Sequence, residues 1–140
     1  MTIYKANRKG YIKYILFVFM ILPFFLFLLN ESDFADKPFL VLVVFIPAIL
    51  FLWIYVDTYY KIDGNKLIYH SAFIHGRIDI DQIKQITKGK TLWVGVKPAL
   101  STKGLIIKYN KYDEIYIAPE SNEDLISDLL KLNKEIAIIE

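Results

Sequence analysis

Two apolar stretches, Tyr14–Leu29 and Phe39–Val56, contain no charged residue and set the terms for everything else this chain can do. A helix needs roughly 17–25 apolar residues to cross the hydrocarbon core of a bilayer. Phe39–Val56 has that length. Tyr14–Leu29 reaches it when Tyr11, Ile12 and the aliphatic stem of Lys13 extend it, because lysine can snorkel to the interface. Both stretches are apolar all round, with no polar stripe to turn toward water. The sequence therefore predicts a transmembrane helical hairpin over residues 14–56, with spans 14–29 and 38–56 and an external loop 30–37. Pro38 falls in a first turn, where a helix tolerates proline. Pro23 and Pro47 lie inside the spans and are expected to kink them.

Charge sets the expected orientation. Residues 1–13 carry Lys5, Arg8, Lys9 and Lys13 with no acid, whereas the loop carries Glu31, Asp33 and Asp36 against Lys37. Basic residues next to a span favour the cytoplasmic side. The expectation is a two-pass protein of the inner (cytoplasmic) membrane with both termini in the cytoplasm: a basic N-terminus 1–13, then the hairpin, then a cytoplasmic domain 57–140. No small-x-small site precedes Glu31, so the first span reads as an anchor and not as a cleaved signal peptide. The spans hold no ionisable residue to line a path, which argues against a channel. Glycine is absent from both, and Ala48 is the one small residue, so no GxxxG seam is present.

After Asp57 the apolar period changes to two. Alternating runs at Thr58–Asp63, Lys66–Ser71, Arg77–Ile80, Lys84–Lys88, Thr91–Gly95, Leu105–Tyr109 and Glu114–Ala118 read as seven strands. Asp63–Gly64–Asn65 is a hairpin turn, and Gly76, Gly89 and Asn110–Lys111 are expected to punctuate later ones. Alternation turns Ile78 and Ile80 inward, places Leu105, Ile107 and Tyr109 on one shared face, and places Ile115 and Ile117 on another. Asn122–Asn133 then reads as a helix, N-capped by Ser121, with acids in its first turn and lysines near its end. Ile136–Ile139 is a candidate edge strand. The fold class is α+β: the hairpin, then a seven-stranded β-barrel or sandwich capped by a C-terminal helix.

This order of elements resembles the bacterial PH-like domains of the YyaB-like family. The resemblance rests on Asp63–Gly64–Asn65–Lys66–Leu67, on Pro98–Ala99–Leu100–Ser101 before a central strand, and on Ile115–Pro119 leading into Ser121–Asn133. Family members usually carry an Asp-Arg pair shortly after the second motif, where this chain has Lys103–Gly104. The resemblance implies a PH-like fold behind one or two membrane spans. It also implies an alternative role, since some relatives act in immunity to secreted antibacterial peptides.

Residue chemistry narrows the function further. Cysteine is absent, which excludes disulfides, thiolate nucleophiles and cysteine metal sites. Acids and bases balance over 57–140, leaving no field to attract nucleic acid. Lys88–Gly89–Lys90–Thr91 lacks the leading glycine and the strand-to-helix setting of a phosphate-binding loop. His70 and His75 lack a third ligand and read as solvent-facing. Asp79 and Asp81 read as the solvated face of a strand, and no serine sits in a nucleophile elbow. No catalytic set, cofactor site or metal site is expected. Two candidate sites remain. Trp93, Lys97, Pro98, Ala99, Leu100 and Ser101 form a long loop at the barrel mouth that also carries Val94 and Val96. Lys84, Lys88, Lys90 and Lys103 are possible contacts for anionic headgroups. The expected function is a non-enzymatic, bilayer-anchored binding module for a protein, peptide or lipid at the cytoplasmic face.

Overall fold

The computed structural model describes residues 1–29 and 35–140, so Glu31, Asp33 and most of the expected 30–37 loop lie outside the described residues. Helices α1 (Ile12–Leu29) and α2 (Phe39–Asp57) coincide with the two apolar stretches, and α2 opens at Pro38. Both run through their internal prolines, Pro23 and Pro47. Few of their residues are buried by the rest of the chain, unlike those of the core helix of a water-soluble protein. They touch each other through Ala48, which is buried, and through a Phe19–Phe51 stack with ring centroids 4.8 Å apart. The single small residue of the spans thus marks the place where the helices meet.

The first strand lies before the hairpin. β1 (Thr2–Lys5) pairs antiparallel with β2 (Tyr59–Asp63), which begins two residues after α2 ends. Sequence reading placed residues 1–13 in a separate basic segment, because four residues with one apolar side chain between polar neighbours give too short a period to register. β2 pairs with β3 (Lys66–Ser71), and β3 with β4 (Ile74–Asp79), giving a four-stranded sheet in the order β1-β2-β3-β4. A 3-10 turn at Ile80–Gln82 leads to β5 (Ile83–Lys88), followed by β6 (Leu105–Tyr109) and β7 (Asp113–Ile117). Helix α3 (Asn122–Leu132) comes next, and β8 (Ala137–Ile139) lies parallel to β5 at the edge of a second sheet, in the order β7-β6-β5-β8. Both sheets stay open, so the two-layer arrangement forms and a closed barrel does not.

Ile78 and Ile80 face inward as alternation predicts, and the shared faces of β6 and β7 also join the core, with Tyr109 partly buried at its margin. Ile78, Ile80, Leu105, Ile107, Ile115 and Ile117 are all buried, and Leu125, Ile126 and Leu129 of α3 cover them. The Ser121 hydroxyl accepts the Asp124 N–H at 3.2 Å, the expected N-cap, and the chain turns out of the helix at Asn133. Two local expectations are corrected. Thr91–Gly95 is irregular: the Gly89 N–H donates to the Gly104 carbonyl, so β5 and β6 pair directly across the loop base, and the loop meets the sheet only in a single parallel bridge from Val96 to Ile115 on the outer edge of β7. Gly76 is no turn residue but lies inside β4 opposite Tyr69, whose hydroxyl occupies the space a Cβ would need. The turn itself falls at Ala72–Phe73.

Four tyrosines are held protonated by the fold. Burial raises the pKa of Tyr60, Tyr109 and Tyr116 above the ordinary 10.0. Tyr4 is raised by burial and by donating its hydroxyl to the Asp128 carboxylate, which joins β1 to α3. An unfolded chain ionises these phenols near pH 10, while the fold holds them protonated. Their contribution is therefore complete below pH ~10 and is lost as pH rises through the folded-state values. We expect tyrosinate absorbance from this group to appear together with loss of β-sheet circular dichroism in an alkaline titration. Smooth ionisation of all tyrosines with the fold retained would contradict it.

Candidate functional site

The domain has two distinct ends. At one, it is joined to the helices by more than the covalent chain. Arg8 donates from Nε to the Tyr55 carbonyl at 2.9 Å and from Nη2 to the Val56 carbonyl at 3.0 Å. The last carbonyls of a helix have no intrahelical donor and carry partial negative charge, so a guanidinium there satisfies both needs. The Thr58 hydroxyl donates to the Ile54 carbonyl at 2.5 Å and meets the buried Ser71 hydroxyl at 2.8 Å. Asp57 accepts from Trp53 Nε1 at 3.2 Å and lies 2.8 Å from His70 Nε2. The His70 ring stacks between Tyr59 and His75. His70 is thus partly enclosed and paired, not simply solvent-facing as its isolation in sequence suggested. Asp57 lies 13 residues away and could not be matched to it by local spacing.

The long loop is rooted at this same end. Pro98 and Ser101 are buried, and Leu100 is only 1% exposed within the core. The Tyr60 hydroxyl donates to the Pro98 carbonyl at 2.6 Å and accepts the Ala118 N–H at 3.1 Å. The Tyr116 hydroxyl donates to the Ser101 carbonyl at 2.8 Å and accepts the Gly104 N–H at 2.9 Å. Gly10, two residues before α1, touches the loop so closely that a Cβ there would stand 2.9 Å from the Leu100 carbonyl oxygen. The Pro98–Ala99–Leu100–Ser101 motif is therefore the root of the loop, and Ala99 is half-buried beside it. The tip is another matter. Trp93 is 78% exposed and Val94 81%, Val96 is also exposed, and the Lys97 ammonium lies 5.6 Å from the Trp93 ring centroid.

The Gly89 N–H to Gly104 carbonyl bond and the Lys103 N–H to Thr91 hydroxyl bond bring Lys88, Lys90 and Lys103 to the base of the loop, while Lys84 stands apart from them. Lys88 pairs with Glu123 of α3, and that hydrogen bond raises its pKa. Lys84 lies near the start of β5, at the far end of that strand. Lys90 and Lys103 are exposed on the loop.

That far end carries a groove of about 430 Å³ that sequence reading missed. Lys84 and Gln85 of β5 and the β6–β7 turn from Lys108 to Glu114 line it. Its direction follows from the registers. Ile83, Tyr109 and Asp113 sit together at one end of β5–β7, and Lys88, Leu105 and Ile117 at the other. The second of these ends leads through Ala118, whose carbonyl accepts the Asn7 N–H, to the segment that enters α1. The groove therefore points away from the helices. Tyr112 stands 85% exposed at its rim, with the Lys111 ammonium 5.2 Å from the ring centroid. Asn110–Lys111 reads as a turn in sequence, and nothing local indicates that the turn borders a concavity. Among the described residues, no group of three or more His, Asp or Glu is placed to hold a metal ion.

A PH-like two-sheet domain closed by a C-terminal helix and fastened to an apolar hairpin defines a membrane-associated binding module. The family of bacterial PH domains matches residues 58–133, more than half of the chain, and the protein belongs to that family. No curated protein and no solved structure gives a significant match. PH domains are characteristically binding modules without catalysis.

Tyr60 gives this end its most direct test. In Tyr60→Phe the Pro98 carbonyl and the Ala118 N–H lose a buried partner, which costs about 1–3 kcal/mol. A melt of the purified protein in detergent should show the transition lowered accordingly. An unchanged melt would mean that the loop root is not held by this hydroxyl.

Proposed function

We propose that this protein is a non-enzymatic recruiting module. Its hairpin spans the cytoplasmic membrane, and its domain presents the groove beside Tyr112 to a protein or peptide partner. The observation that carries the reading is the groove's position at the end of the domain opposite the helices. A concave surface held off the bilayer by a domain clasped to its anchor suits a partner arriving from the aqueous side. Its chemistry suits a polypeptide. Exposed aromatic rings are enriched where proteins bind proteins. Lys84, Lys108 and Lys111 stand against Asp113 and Glu114, which favours a ligand carrying both polar and acidic groups over a simple anion.

Charge supports the cytoplasmic side of the membrane. β1 and β2 are neighbours in one sheet, so both ends of the hairpin emerge on one face. Lys5, Arg8, Lys9 and Lys13 beside α1 favour the cytoplasmic face.

The test is crosslinked co-purification of the full chain against Tyr112→Ala and Lys108→Glu variants. A partner recovered with the unaltered chain and reduced at least several-fold with both variants is the expected result. Equal recovery by all three would remove the groove from the function. It would shift weight to the hairpin and its outer loop, where protection against a secreted peptide would act.

A further inference from the structure

We propose that the Trp93–Val96 loop tip extends the groove beside Tyr112 into one docking surface, and that its occupant is a polypeptide segment in which acidic residues flank apolar ones. The inference rests on recruitment through the groove and adds the chemistry of the partner.

Position comes first. The loop leaves and rejoins the sheet at the end nearer the helices. There the Gly89 N–H donates to the Gly104 carbonyl at 3.0 Å, and the Lys103 N–H to the Thr91 hydroxyl at 3.0 Å. Between those points the loop follows the outer edge of β7. The Val96 carbonyl accepts the Tyr116 N–H at 3.1 Å, and Val96 forms a parallel bridge with Ile115. From Val96 the chain runs with β7 to Pro98, whose carbonyl shares the Tyr60 hydroxyl with the Ala118 N–H. Traced backward from Val96, it heads toward Glu114 and Asp113, which line the groove. Gly95, at φ 107°, adopts a backbone conformation that favours glycine and lets the tip turn. The tip and the groove therefore meet across the edge of β7.

Exposure singles out the same place. Tyr112 is 85% exposed, Val94 81% and Trp93 78%; Met1 aside, no other large apolar side chain among the described residues is this open. Aromatic rings left uncovered together are the usual anchors of a protein interface. The bonds from Tyr60 and Tyr116 to the loop root hold the tip in place before a partner arrives, which lowers the cost of ordering it. Charge then selects the partner. Lys61, Lys66, Lys88 and Lys131 each pair with a carboxylate elsewhere on the domain. Among the described residues, Lys84, Lys97, Lys108 and Lys111 form no ion pair. Lys97 and Lys111 stand beside the rings of Trp93 and Tyr112. Of the nearby acids, Asp113 accepts the Asn110 amide and Glu114 lies opposite Lys108. The cations left over match carboxylates on a partner, while Asp113 and Glu114 disfavour a polyphosphate chain.

Trp53→Phe leaves Trp93 as the sole tryptophan of the full chain, so its emission reports on the tip directly. The probes are a synthetic peptide alternating glutamate with leucine, its lysine-for-glutamate counterpart, and oligouridylate. The glutamate peptide should shift Trp93 emission to shorter wavelength in a saturable manner and bind several-fold more tightly than the lysine peptide. Tyr112→Ala and Lys97→Glu should each weaken it several-fold. Equal binding of the two peptides, tighter binding of oligouridylate, or no response to the glutamate peptide would overturn the proposal. Trp93→Ala replaces an exposed side chain outside the core and separates this proposal from recruitment through the groove. A crosslinked partner lost with Tyr112→Ala but retained with Trp93→Ala would remove the tip and keep the groove. A partner retained with both would remove the groove as well.

Discussion

The pairing of β1 with β2 is the interaction on which the rest of the molecule depends. Lys5 lies opposite Tyr59 and Thr2 opposite Ile62, so the chain leaves a sheet, forms the helical hairpin and returns to the neighbouring position in that sheet. The hairpin is thus an insertion within a domain, not a leader attached to one. Arg8 at the end of α2, the Thr58–Ser71 pair and the Asp57–His70 contact reinforce the junction on both sides. With the ends held together, α1 and α2 can lie antiparallel and touch at Ala48 without a dedicated small-residue seam.

The same junction explains why the domain's two ends have different chemistry. The end joined to the helices is aromatic and tightly hydrogen-bonded. The other holds a groove of mixed charge. The motif Pro98–Ala99–Leu100–Ser101 belongs to the first end, and its value is structural: it fixes a loop root so that Trp93 and its neighbours project. A family motif of this kind marks what the fold needs in order to hold a surface, while the surface itself is left to the less constrained residues at the tip.

Much of this was legible in the sequence because the signals were local and periodic. The uncharged spans, the alternation at Leu105–Tyr109, the Ser121 cap and the turn at Gly64 each occupy a few adjacent residues. What escaped was non-local. β1 has four residues and acquires its identity only from Tyr59–Ile62, more than fifty residues later. Gly76 looked like a turn because glycine breaks strands, whereas here it accommodates the ring of Tyr69. His70 looked isolated because its partner lies on a different element. The groove is formed by a turn and a strand start that only the sheet registers bring together. The sequence groups Trp93 and Lys97–Ser101 as one candidate loop and could not divide it into root and tip, since that division depends on what Tyr60 and Tyr116 reach.

The broken sheet also carries a consequence for biogenesis. As the chain is made, Thr2–Lys5 emerges first and has no neighbour to pair with until Tyr59–Asp63 follows, by which time both apolar stretches have been synthesised. The outermost strand of the first sheet must therefore wait for its neighbour although it is synthesised first. Its docking against β2, and of Tyr4 against Asp128, happens only in molecules whose two helices have returned to the starting side. A chain with a single inserted helix would strand its first residues across the membrane from the rest of the sheet. It would display an unpaired edge, the kind of feature by which cellular quality control distinguishes incomplete products from finished ones.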